Sequence, residues 1–280
     1  MQNNSEMNKR LLFTAFLFIH VLANAQEIGV QLYSFRNEIP KDIPGTLKKI
    51  REMGIKELEG GGTYGLPLAE YKKIVDDNGF KMVCVGASFD KLQKDLPAVI
   101  QEAKAFGAKY VMCAWVPHKE DGFTVEEANA AIEVFNTAGK TLQENGISLC
   151  YHAHGYEFRP YEDGTMFDYM AKKMNPKWAN FEMDVFWVKH PGQDPVALLK
   201  KYKGRFPLMH LKDRKHGTEG NQNGRADDDT NVVLGAGDVG IGDIMRVAKK
   251  YGVKHYFIED ESTRSMEQVP LSLTYLKNLK

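Results

Sequence analysis

The chain has 280 residues, 43% hydrophobic, 26% charged and 11% aromatic. That composition excludes a disordered chain, a collagen and a multi-span membrane protein, and the length fits one large domain or two small ones. Lys plus Arg and Asp plus Glu both number 37, so the formal charge is zero; a dedicated nucleic-acid binder carries a basic surplus, and no nucleic-acid partner is expected.

Residues 1–25 read as a secretory signal peptide. Lys9 and Arg10 form a basic start, Leu11 to Leu22 is apolar apart from Thr14 and His20, and Ala23-Asn24-Ala25 offers small residues for cleavage. The apolar run is far shorter than the roughly 20 residues of a spanning helix. Cleavage after Ala25 leaves a domain of residues 26–280, expected in the periplasm of a diderm bacterium. No lipobox cysteine follows the apolar run, so no lipid anchor is expected.

The rest of the chain repeats one pattern: a helix-period segment, a Gly, then a short apolar strand. It occurs at "REMGIKELEG", "DDNGFKMVCVG", "KAFGAKYVMCAW", "QENGISLCYHAH", "YKGRFPLMHLKD" and "KKYGVKHYFIED". The glycines are Gly54, Gly79, Gly107, Gly146, Gly204 and Gly252, each placed to end a helix in the left-handed conformation. Leu96, Val99, Ile100, Ala103 and Phe106 share one helical face, as do Leu47, Ile50 and Met53, and Ile132, Phe135 and Leu142. The strands between are near-continuous apolar runs, as in a parallel sheet covered on both faces.

Eight strands are predicted, at about 28–33, 55–60, 81–87, 109–115, 147–153, 179–185, 206–211 and 255–260. Eight βα units in this length make a single (β/α)8 TIM barrel. An open doubly wound sheet is disfavoured because no G-x-G-x-x-G follows the first strand. Cys84, Cys113 and Cys150 fall in strand-like runs without C-x-x-C spacing and are expected as buried thiols.

In such a barrel the catalytic groups stand at the C-terminal strand ends. Those ends carry Glu59, then Trp115 with His118 nearby, then His152, His154 and Glu157. Asp184 and Trp187, His210, Lys212 and Asp213, and Glu259, Asp260 and Glu261 follow. Carboxylates and imidazoles converging at one mouth suit a divalent cation. A cation with open positions chelates adjacent substrate oxygens, polarises a carbonyl and acidifies the neighbouring C–H.

The stretches "IGVQLYSFRN", "YHAHGYEF", "MDVFWVKHPGQDP", "GRFPLMHLKD" and "HYFIEDE" resemble the xylose isomerase-like TIM barrel family, often labelled sugar phosphate isomerase/epimerase. The resemblance covers nearly all of residues 26–280. It implies one divalent metal ion (Mn, Mg, Co or Zn) held by carboxylates and a His at strands five to eight. Asp184, His210 and Glu259 match three of those places. Many relatives carry a Glu at the end of strand five, where this chain has "CYHAH"; Glu157, His152 and His154 are the candidates for the fourth ligand. Glu157, His154 and Lys212 are the candidate catalytic groups. Glu59, Trp115, His152 and Trp187 are the candidate substrate contacts, the Trp rings as a stacking wall for a sugar. Gln31 and Tyr33 stand on the first strand.

Residues 213–241 form a long polar stretch without clear periodicity, expected as a substrate cover. Its "GAGDVG" also reads as a candidate phosphate-binding turn. The expected activity is metal-dependent isomerisation or epimerisation of a sugar or keto-sugar by proton abstraction beside a carbonyl. Elimination on a 3-keto-glycoside and non-catalytic carbohydrate binding are the alternatives. Phosphodiester hydrolysis is disfavoured, because it wants a His-rich zinc cluster and the chain has 8 His, one of them in the leader. The expected partner is a small sugar; the sequence leaves a homo-oligomer open.

Overall fold

The computed structural model describes residues 27–119 and 122–279; the expected signal peptide and its cleavage site lie outside the described residues. All eight predicted strands form. They are β1 (Ile28–Gln31), β2 (Glu57–Gly60), β3 (Lys81–Gly86), β4 (Tyr110–Cys113), β5 (Ser148–His152), β6 (Ala179–Asp184), β7 (Leu208–Leu211) and β8 (His255–Ile258). Each pairs in parallel with its neighbours in sequence, and β1 closes on β8 with Gly29 opposite Phe257. The strands are mostly shorter than their apolar runs. Ala114, Trp115 and Ala153, expected at strand ends, have already left the ladder for the loops.

Helices α1 (Ile43–Glu52), α2 (Leu68–Asp77), α3 (Phe89–Lys94), α4 (Leu96–Phe106), α5 (Val125–Glu144), α6 (Met166–Lys173), α7 (Val185–Lys189), α8 (Pro195–Lys201), α9 (Ile241–Ala248) and α10 (Ser265–Asn278) surround the barrel. The predicted helix-ending glycines all have φ between 67° and 106°, the region where a side chain costs energy. Helix α5 shows the local logic. Thr124 and Glu127 form a reciprocal capping box at its start. Ala128, Ala131, Ile132, Phe135 and Leu142 bury one stripe against the strands. Gly139 in the same stripe lets the Trp178 carbonyl approach; a Cβ there would lie 2.5 Å from that oxygen.

Alternation along the strands separates two interiors. One apolar cluster fills the space between strands and helices. A second, inside the barrel, includes Cys84, Tyr110, Met112, Cys150, Leu208 and Phe257. All three cysteines are buried free thiols. Two residues further along, the inward positions change character: Leu208 gives way to His210, Cys150 to His152, and Phe257 to Glu259. The barrel is therefore apolar in its middle and ionisable at its C-terminal end. At its other end Glu57 joins His255 Nδ1 at 3.0 Å and Lys81 Nζ at 2.7 Å.

Residues 213–241 are a folded excursion. Asp213–Arg214 pairs antiparallel with Asn231–Val232. Arg36 binds Asp228 at 2.7 Å, and Gln222 donates to the Phe158 carbonyl at 3.3 Å, so the excursion is fastened to the loops after β1 and β5. The phosphate-turn expectation for "GAGDVG" is corrected. Its amides are engaged internally: Asp213 accepts from the N–H groups of Gly235 (2.8 Å), Gly237 (3.0 Å) and Val239 (3.1 Å).

Candidate metal centre and active site

Register brings the chemistry together. Asp184 on β6 lies opposite His210 on β7, and His152 ends β5 beside them. His152, Asp184, His210 and Glu259 each offer an atom, all within 4.8 Å of one another, and all four residues are buried. His152 Nε2 is 3.6 Å from Asp184 Oδ2, His210 Nδ1 is 3.9 Å from the same oxygen, and His210 Nδ1 is 3.1 Å from Glu259 Oε2. An ion with bonds of about 2.1 Å separates neighbouring ligand atoms by about 3.0–3.4 Å in octahedral or tetrahedral geometry. The spacing fits such an ion with small adjustments.

The hydrogen-bond inventory points the same way. Asp184 Oδ1 caps α7 by accepting from Phe186 N at 2.8 Å and Trp187 N at 3.0 Å. Its Oδ2 is buried without a partner, and so are both ring nitrogens of His152. Unsatisfied buried polar atoms are costly, and here they face one another across a space of ionic size. Burial lowers His152 to about 3, so its ring is neutral and has a lone pair to give. Burial also opposes charge on Glu259, but Lys212 and His210 outweigh it and hold that carboxyl well below its ordinary range.

Glu157 does not join the cage, which corrects its expected ligand and catalytic roles. It is fully buried, with Tyr151 donating its hydroxyl to Oε1, His154 N at 3.3 Å from Oε1 and Gly155 N at 2.9 Å from Oε2. The tight turn at Gly155 directs this carboxylate into its own loop. At the fourth place stands His152, which the sequence reading had offered both as substrate contact and as ligand. Burial raises Glu157 to about 7 from an ordinary 4.5. The folded state then holds an extra proton through that window, so stability present below it is lost as pH rises through it. Glu157→Gln keeps the shape without the charge. Thermal melts of variant and parent are expected to coincide near pH 5, with the variant more stable at pH 8 by about 1–2 kcal/mol. A variant melting below the parent at pH 8 contradicts this.

Glu59 is also repositioned. It is completely buried and does not border the cavity, so it is no substrate contact. Its Oε1 accepts from Gln31 Nε2 at 2.6 Å and lies 2.6 Å from His210 Nε2. Beside it is Glu182, which the sequence reading missed. Glu182 Oε1 is 3.3 Å from His210 Nε2, and both Glu182 oxygens lack hydrogen bonds. The signal was available: Glu182 stands two residues before Asp184 on one strand and so shares its inward face. Burial and the adjacent Glu59 raise Glu182 well above the carboxylate range. Burial pulls against charge on His210, but Glu182, Glu259 and Glu59 outweigh it and raise that ring well above its ordinary value.

Lys212 is behind the cage and not in the cavity. Its Nζ pairs with Glu261, lies 3.4 Å from Glu259 Oε2 and 3.8 Å from Asp184 Oδ2, and sits 5.3 Å from the centre of the Trp187 ring. Burial opposes its charge, yet these carboxylates raise it above the ordinary ammonium range, so it stands among them as an ammonium. Asp213, the next residue, turns away to serve the glycine-rich turn.

A cavity of about 1000 Å³ opens above the cage, bordered by His152, His154, Trp115, Trp187, Glu259 and Glu261. His154 stacks on His152 with ring centres 4.5 Å apart, and its Nδ1 is buried without a partner. Trp187 is buried, whereas Trp115 is 38% exposed and Tyr33 52% exposed at the rim. The excursion after β7 contributes Gly224, Arg225 and Ala226. It thus forms one wall of the cavity.

The sequence profile described as xylose isomerase-like TIM barrel matches residues 47–279. The chain belongs to this family. Among its relatives, an inosose dehydratase of Geobacillus kaustophilus is 24% identical over 223 residues, 69% of this chain and 71% of that protein. Against three further inosose dehydratases, from strains of Mesomycoplasma hyopneumoniae, the match spans 62% of their length. A sugar phosphate isomerase/epimerase of Parabacteroides distasonis superposes with a TM-score of 0.76 at 24% identity, covering 93% of this chain and 97% of that one. A xylose isomerase-like TIM barrel protein of Mycobacterium smegmatis, solved in complex with magnesium, superposes with a TM-score of 0.71 at 15% identity over 91% and 96%. These superpositions establish the shared fold. Among the described residues no helix is long and apolar enough to cross a membrane.

Proposed function

We propose that the protein is a divalent-metal-dependent enzyme that removes a proton beside the carbonyl of a keto-sugar, leading to β-elimination or to epimerisation. The observation that carries this is the buried cage of His152, Asp184, His210 and Glu259 at the barrel mouth, with unpartnered atoms turned inward. The dehydratase relatives favour elimination. The magnesium-bound family member supports a hard divalent ion.

A bound divalent ion supplies Lewis-acid polarisation of the carbonyl. The protein's own groups do the rest. Trp115 and Trp187 offer apolar ring faces to the sugar. His154 borders the cavity, and burial lowers its ring well below the ordinary value, so it is neutral and takes the proton from the substrate. In the elimination the C–H bond next to the carbonyl breaks, its electron pair forms the C=C bond, and the β C–O bond breaks. The same imidazolium then returns its proton to the departing oxygen. Lys212 holds Glu259 and Glu261 against their mutual repulsion.

The test uses protein of residues 26–280 with Mn²⁺, incubated in D₂O with 3-keto-glucosides and followed by NMR. Deuterium entering beside the carbonyl, or release of the substituent, is expected, and either is expected to be lost in His154→Ala. No exchange and no release with fully metal-loaded parent contradicts the proposal; sugar binding without turnover then favours a carbohydrate-binding protein. We also propose export, from residues 1–25. Its test is the N-terminus of protein recovered from a bacterial periplasm, expected at Gln26; an intact leader on cytoplasmic protein contradicts it.

A further inference from the structure

His210 faces two carboxylate clusters, one from each ring nitrogen. Nδ1 faces Glu259 and Asp184, at 3.1 and 3.9 Å. Nε2 faces Glu59 and Glu182, at 2.6 and 3.3 Å. Both groups have the residue types of a cation site, and both are buried. Distance separates them. At 2.6 Å the contact of His210 Nε2 with Glu59 Oε1 is a charge-assisted hydrogen bond, shorter than the spacing of about 3.0–3.4 Å expected between neighbouring ligand atoms of one ion. The Nε2–Glu59 contact is a hydrogen bond, whereas the Nδ1 side faces Glu259 and Asp184 at 3.1 and 3.9 Å.

Glu59 is itself held. Gln31, its register partner on β1, donates to Glu59 Oε1 at 2.6 Å and accepts from Tyr33 N at 3.1 Å. The β2–β3 register shifts at Leu58/Glu59. Glu59 does not border the cavity and is not one of the four cage residues, and its hydrogen-bond contact with the cage is His210 Nε2.

We propose that Glu59 is a positioning residue for the metal centre: it accepts the Nε2–H of His210 and so leaves the Nδ1 lone pair turned to the metal, with Gln31 fixing Glu59 in place. A carboxylate behind a ligating imidazole fixes its tautomer and ring orientation, and losing one costs about 10–100-fold in metal affinity. This rests on the reading of the upper cage as the metal site.

The experiment pairs Zn²⁺ calorimetry with ¹H–¹⁵N side-chain NMR of histidine-labelled protein of residues 26–280, on the parent, Glu59→Met and Glu59→Gln. The parent is expected to bind Zn²⁺ through His210 Nδ1 and to show a protected Nε2–H. Glu59→Met, without an acceptor, is expected to lose affinity by about 10–100-fold and to lose Nε2–H protection. Glu59→Gln, which keeps an acceptor oxygen, is expected to recover most of both. Coordination through Nε2 in the parent, or parental affinity in Glu59→Met, overturns the proposal. A parent that binds no Zn²⁺ at all overturns the upper cage and this inference with it. Should Glu59→Met fail to fold, the coordinating nitrogen in the parent and the behaviour of Glu59→Gln still decide.

Discussion

Asp184→Asn is expected to abolish divalent-metal binding while leaving the barrel folded. The two oxygens of Asp184 have separate tasks. Oδ1 caps α7, and Asn is as good a cap as Asp, so that task survives. Oδ2 is the cage oxygen without a hydrogen bond, and its replacement by an amide NH₂ puts a donor where a cation would bind. An affinity loss of at least about 100-fold is expected, exceeding what supporting residues usually cost. Calorimetry with Mn²⁺ measures it, and far-UV circular dichroism checks the fold. Parental affinity in a folded Asp184→Asn protein removes Oδ2 from the ligand set.

The legible parts of the molecule were those governed by short-range rules. Helix-ending glycines and apolar stripes gave eight βα units, because both patterns report local geometry that tertiary contacts reinforce. Asp184, His210 and Glu259 were legible because strand ends in a barrel have one destination. Glu157 was misassigned because two residues separate it from His154, and the turn at Gly155 decides which way that segment faces. Glu59 and Lys212 were read as mouth residues, yet they lie one layer below or behind it. Depth along a barrel depends on strand stagger between residues far apart in sequence, which residue spacing does not report. Glu182 was passed over inside an apparently apolar strand, although alternation already placed it beneath Asp184.

Lys212→Met is expected to destabilise the metal-free protein by about 3–5 kcal/mol, the usual cost of stranding buried charge by removing its partner. Lys212 faces Glu261, Glu259 and Asp184, and Met fills similar volume without the charge. A divalent ion replaces part of the lost positive charge, so metal is expected to raise the melting temperature more in Lys212→Met than in the parent. At 100 times its dissociation constant a ligand adds about 2.7 kcal/mol, and a tighter site adds more at equal concentration. Melts with and without Mn²⁺ measure both effects. An unchanged metal-free melting temperature shows that the carboxylates are relieved some other way, by protonation or by water.

The turn after β7 bears on which sugars the barrel admits. Barrels of this architecture often grip a phosphate with the loops that follow strands seven and eight. In this chain the carboxylate of Asp213 already occupies the glycine amides of that loop. An anion arriving there would meet a tethered competitor of its own sign, held at high effective concentration. The glycine amides of this turn are thus held by the chain's own carboxylate and are not free to receive a phosphate.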